Sequence, residues 1–188
     1  MKQHLIEDGF TKTTLLVTGG DARQSLFKRV TAANQLSANL FLSIHHDSVP
    51  DTFIEDWDFE GKPSRFSDRF SGYSIFVSYE NPDFERSLLF ARLLGNQLKL
   101  RGLHYARQYV EPFMGRYQRE LLDAVAGVYR YDQLVVLKRT EMPSVLLEAG
   151  SIINRDEELQ MNSSERRGLI SASVSAAVEL FCEAHPRQ

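Results

Sequence analysis

The sequence predicts an α/β fold: three layers, with a mostly parallel, twisted sheet carrying helices on both faces. Two observations lead there. Residues 39–44 (NLFLSI) form a nearly continuous apolar run, as expected of a strand covered on both faces. Around it, segments of helical periodicity alternate with short strand-like runs. The 188 residues suit one domain spanning 1–188, and 43% are hydrophobic, enough for a core without covalent staples. The single cysteine, Cys182, excludes an internal disulfide framework and reads as a small buried hydrophobe.

Residues 13–18 (TTLLVT) read as a short strand closed by the turn signal Gly19-Gly20-Asp21. Leu26, Val30 and Ala33 then recur at helical offsets, predicting a helix before the 39–44 strand. Residues 49–71 lose any steady period: Asp51, Glu55, Asp56, Asp58 and Glu60 mix with Phe53, Trp57, Phe59, Phe66 and Phe70. This stretch reads as a long loop insertion. Its aromatics either stack on sugar rings or anchor the loop itself. Strand character returns at 72–78 (GYSIFVS).

Asn81-Pro82 predicts a helix with proline in its first position. Its stripe is Phe84, Leu88, Ala91 and Leu98, and Gly102 ends it. Tyr117, Leu121, Ala124, Val125 and Val128 predict another amphipathic helix, either plain packing or a cover for a cleft. Residues 133–137 (QLVVL) and 144–147 (SVLL) read as strands. The last helix is expected from near Asn162, with Glu165 as capping-box partner. Ile170, Val174, Ala177, Val178 and Phe181 form its buried face.

A net charge of −3 offers no basic footprint for a phosphate backbone, so no nucleic-acid partner is expected. No apolar run approaches the roughly 18 residues that span a bilayer. The N-terminal residues have no apolar stretch long enough for a secretion signal. Arg116, Arg119 and Arg130 either meet peptide carboxylates or stay solvated.

Two places can carry chemistry. Residues 43–48 (SIHHDS) follow the apolar strand at its C-terminal end, and Glu148 closes the strand 144–147. In open α/β sheets, sites form outside the carboxyl ends of strands. A histidine and a carboxylate there could be a metal ligand and a general base, but on spacing alone surface and capping roles are the commoner reading.

The wording of these segments is more specific. SLFKRVTAANQLSANLFLSIHHDS and, later, MPSVLLEAGSIINRDEE resemble two blocks of the zinc-dependent, amidase-3 type N-acetylmuramoyl-L-alanine amidases, in family order. GVYRYDQLVVL is similar to the family strand before the second block, and the resemblance runs from about residue 9 to the end. It implies the amidase-3, phosphorylase/hydrolase-like fold. It also implies one Zn²⁺ and hydrolysis of the amide joining N-acetylmuramic acid to the L-alanine of the peptidoglycan stem, outside the cytoplasmic membrane. By resemblance, His45 is a zinc ligand and Glu148 the catalytic glutamate. Arg29 and Asn34 support the strand, and Asn154 takes a turn or packing role. Zinc would polarise the carbonyl and acidify a bound water, while Glu148 shuttles the water's proton to the leaving nitrogen.

The sequence departs from the family at its start. Gly9-Phe10 and Thr18 match, but Gly19 stands where the family usually has arginine, and no GHGG turn occurs. One of three expected protein ligands is present, and the first strand is expected to be missing. Three readings follow: a fragment or mis-started gene model, a catalytically incomplete murein-binding or regulatory domain, or substitute ligands drawn from His4, Glu7, His46, Asp47 and His104. A sheet without that strand is expected to expose an edge and to be less stable than a complete domain. The sequence names no activator.

Overall fold

The computed structural model describes residues 1–184; residues 185–188, the end of the expected domain, lie outside the described residues. In chain order the elements are α1 (Lys2–Glu7), α2 (Ala22–Gln35), β1 (Phe41–Asp47), β2 (Glu55–Phe59), β3 (Lys62–Phe66), β4 (Ser74–Val77) and α3 (Phe84–Leu100). There follow β5 (Leu121–Asp123), β6 (Val128–Arg130), α4 (Val135–Arg139), β7 (Ser144–Ser151), α5 (Arg155–Met161) and α6 (Ser164–Ala184). Short 3-10 turns occupy Asp51–Phe53, Gln108–Val110 and Pro112–Tyr117.

Five strands form one sheet in the order β1-β7-β4-β6-β5, and β2 and β3 pair separately. The ladders β1·β7 and β4·β6 are parallel and carry most of the registered pairs. β4 runs antiparallel to β7, and β5 antiparallel to β6. This is the expected mixed α/β architecture, helices on both faces.

Alternation along the strands sorts the core into two layers. Ile75, Val77, Val145 and Leu147 point to one face, where α3 and α6 supply Phe90, Leu94, Val174, Ala177 and Phe181. Phe41, Phe76, Tyr129 and Leu146 point to the other, with Val30 and Ala33 of α2 and Val136 and Leu137 of α4. Ile75, Val145 and Leu147 have no exposed surface, and each such side chain contributes about 1.5–3 kcal/mol through burial.

Several local expectations fail, each for a physical reason. Residues 13–18 have no regular structure, and Leu15 and Val17 are 65% and 81% exposed. Alternation makes a strand only where a neighbour completes the ladder. Within 49–71 the chain forms the β2–β3 hairpin, with Trp57 opposite Ser64 and Glu55 opposite Phe66. The expected helix over 117–128 is a second hairpin. The Asp123 carboxylate accepts from the amides of Val125 and Ala126, both at 2.9 Å, and Gly127 takes φ +70°, so the chain reverses. Residues 133–137 enter α4, not a strand, since a short apolar run fits either element.

Helix α3 starts two residues later than expected, after Asp83, while Asn81 is buried and donates to the carbonyls of Leu137 and Met142. Helix α5 is unforeseen, and α6 begins at Ser164, where Ser163 Oγ accepts from the Arg166 amide. Cys182 is exposed, not buried.

Candidate active site

The register of the parallel pair β1·β7 sets His45 directly opposite Glu148. The antiparallel neighbour continues the row, with Ser74 of β4 opposite Glu148. Directly paired residues share a face, so His45, Glu148 and Ser74 line one face across three strands. It is the face of Phe41, Phe76 and Leu146. Since β4 runs opposite to β7, its first residue sits where β7 delivers its glutamate. Neither residue closes its strand as expected: β1 runs on to Asp47 and β7 to Ser151, the ladder continuing past the pair.

His45 is an exposed residue whose Nε2 lies 2.9 Å from Ser43 Oγ, two positions earlier on the same face. Partial burial of the ring, then the Arg29 guanidinium and His46, lower its pKa, favouring the neutral imidazole. Glu148 is the more enclosed partner. Its Oε2 is buried without a hydrogen bond, as are the hydroxyls of Ser74 and Ser151. Burial, and secondarily the charge of Asp47, push the Glu148 carboxyl up to about 8. The orphaned oxygens of Glu148 and Ser74, opposite each other in the ladder, mark a place where a proton, water or ligand belongs.

Asp47 follows on β1 and is held by Tyr109, whose hydroxyl donates to Oδ2 at 2.5 Å, and by the Ser48 amide at 2.8 Å. Burial raises Asp47 to about 6 against the lowering effect of these bonds. The Tyr109 hydroxyl is raised in turn by burial and by the adjoining carboxylates. Sequence reading missed Tyr109 and Ser74. Tyr109 lies in an aperiodic connection, and Ser74 matters only through its register with Glu148.

The remaining named residues separate into supports and bystanders. Arg29 donates to Thr18 Oγ1 and Ser25 Oγ, fastening the segment before α2. Asn34 donates to the Arg139 carbonyl and accepts from the Glu141 amide, tying α2 to the connection before β7. Asn154 caps α5 and donates to the carbonyls of Asp68 and Phe70. His4 and Glu7 lie on α1, which packs on α6 on the opposite side of the sheet. His46 is exposed, and His104 bonds Ser71.

A catalytic zinc needs about three protein donors and an open position. His45 offers one nitrogen, while both Asp47 oxygens already accept hydrogen bonds. Among the described residues, no three His, Cys, Asp or Glu side chains stand together as a metal-holding group. The donors present therefore do not fit a zinc ion by themselves.

Fold and site define an α/β domain with an imidazole and a carboxyl group in register on two neighbouring parallel strands. The chain belongs to the Amidase_3 family, described as N-acetylmuramoyl-L-alanine amidase, whose model matches residues 1–179. A protein of Buchnera aphidicola named as a candidate N-acetylmuramoyl-L-alanine amidase is 24% identical over 177 residues, covering 89% of this chain and 74% of that protein. The N-acetylmuramyl-L-alanine amidase Ami1 of Mycobacterium smegmatis superposes with TM-score 0.63 at 20% identity, over 85% of this chain and 61% of that one. The N-acetylmuramoyl-L-alanine amidase of Clostridium difficile 630 superposes with TM-score 0.63 at 15% identity, over 97% of this chain and 80% of that one. At these identities the superpositions speak for the fold. The chain spans less than two thirds of the length of the mycobacterial structure.

Proposed function

We infer that this chain serves hydrolysis of the amide between N-acetylmuramic acid and L-alanine in peptidoglycan, outside the cytoplasmic membrane. The observation carrying this reading is the register of His45 against Glu148, with Glu148 Oε2 buried and unpartnered. Hydrolysis breaks the C–N bond, forms a C–O bond from water and delivers a proton to the departing nitrogen. Glu148 carries that proton. A carboxyl raised to about 8 can accept and release it near neutral pH. Ser74 stands opposite it in the strand register. Among the described residues, His45 is the side chain that stands in register with Glu148 and could offer a nitrogen to a metal. Asp47, pinned by Tyr109, fixes the end of β1. No helix among the described residues is long and apolar enough to cross a membrane.

The test is release of soluble stem peptide from insoluble murein, alongside the zinc content of the purified chain. Glu148→Gln is expected to cut any release by at least about 10²-fold. Equal release by wild type and variant would remove Glu148 from the chemistry. Because the donor set is incomplete, one specific result favours the second reading. A chain that sediments with murein yet releases nothing, with or without added zinc, is a murein-binding domain.

A further inference from the structure

The segment 48–73 leaves β1 at its end and enters β4 at its beginning, and β7 lies between those two strands. Since β1 runs parallel to β7 and β4 antiparallel to it, the segment crosses the end of β7, just beyond the His45–Glu148 row. Its base is fastened there. The Ser67 amide donates to the Ile153 carbonyl at 2.8 Å, Phe70 is buried, and Phe53 packs edge-on against Phe70 and Phe113.

The β2–β3 hairpin stands out from this base as a unit of its own. It shares no ladder with the main sheet, and of its two five-residue strands only Trp57, Ser64 and Phe66 are not exposed. Internally it is tight. Phe59 pairs with Lys62 across Glu60-Gly61, which take φ +54° and +77°, as a two-residue hairpin turn requires. The Asp58 carboxylate accepts from the Gly61 amide at 2.7 Å.

Two arginine contacts tie the hairpin back. The Arg155 guanidinium lies 4.0 Å from the centroid of Phe66 and 4.8 Å from that of Trp57, and its Nε donates to Asp68 Oδ2 of the base at 2.8 Å. At the hairpin's foot, Arg65 pairs with Asp51 at 2.6 Å. Ion pairs as exposed as these contribute little and are screened by salt. An arginine stacked on rings at an exposed site adds modestly. The hairpin is therefore firmer within itself than in its attachment. In this latched position it leaves His45 exposed.

We propose that the hairpin is a lid held open: Arg155 latches it beyond the end of β7, and release lets it swing as one body across the His45–Glu148 row. Phe59, 49% exposed and on the same hairpin face as Trp57, is the ring that closes over His45. Closure of this kind screens a reacting centre from bulk water. The lid thus regulates the row on which the proposed amidase reading rests.

The experiment follows carbethoxylation of His45 by diethyl pyrocarbonate in the full chain, metal chelated, with peptide mapping. His4, on α1 at the other side of the sheet, is the internal reference. Arg155→Ala and Asp68→Asn each release the latch, and each is expected to slow His45 relative to His4 by at least about threefold as the closed population grows. Raising salt is expected to slow wild-type His45 in the same direction. A third chain replaces residues 56–65 by Asn-Gly, a turn that the pairing of Glu55 with Phe66 lets close. Without a lid, its His45 is expected to react at the fast rate whether or not Arg155 is present. Unchanged rates in both latch variants overturn the proposal. Faster rates overturn it too, since the latched hairpin would then be the closed state. Slowing that persists in the chain without the hairpin does the same. Because the labelling needs no cleavage, a lid that behaves as described in a chain that leaves murein intact sinks the hydrolase reading alone.

Discussion

Glu148 is costly where it stands. Its folded pKa of about 8 lies above the ordinary 4.5 because burial disfavours the anion. A carboxyl raised on folding contributes stability that is complete below about 4.5 and is lost as pH climbs through 8. Glu148→Gln keeps the shape and removes the charge. With chelator present, the variant's melting temperature should exceed the wild type's by a margin that grows between pH 5 and pH 8.5. A margin independent of pH would mean the carboxyl is not buried as described. His45 and Glu148 were legible in the sequence because both follow apolar runs and sit in recognisable blocks. Tyr109 and Ser74 were not. Their roles come from register and from contacts made by residues distant in sequence, which no local pattern encodes.

Elements are held to the site by a few unforgiving contacts. The Glu157 carboxylate, 6% exposed, accepts from the Gly72 amide at 3.0 and 3.1 Å and from the Ser151 amide at 2.8 Å. Arg166 stands 3.5 Å away. One side chain of α5 thus fastens the entry to β4 to the exit from β7. Glu157→Ala should cost about 3 kcal/mol in urea unfolding, since it strands a buried arginine and two amides. A loss under about 1 kcal/mol would show that water replaces the carboxylate. Gly95 makes a second such contact. A Cβ there would lie 2.1 Å from the Ala126 carbonyl oxygen. Gly95→Ala should destabilise by about 1–3 kcal/mol despite its better helix propensity, so a more stable variant would refute the close approach. Element type was readable for long periodic segments such as α3 and α6. It failed at 117–128 and 133–137, where short apolar spacings suit hairpin and helix alike and tertiary neighbours decide.

For the whole molecule, the sheet ends at β1, whose outer edge carries no partner strand among the described residues. Ile44 on that strand is 39% exposed, and Leu15, Val17 and Phe27 add 65%, 81% and 47%. Open edge and apolar surface together favour self-association. Leu15→Lys/Val17→Lys should lower concentration-dependent light scattering while changing stability by no more than about 0.5 kcal/mol. A marked loss of stability would mean those side chains are packed against the fold. The reversed direction of β4 has a reach of its own. It gathers the beginning of one strand and the later half of another at a single corner, so Gly72 and Asn154 help to govern where the Glu148 carboxyl stands. A mutational survey scored by turnover alone would file both among the chemical residues. Only turnover divided by the amount of folded protein would separate those that support the corner from those that do the work there.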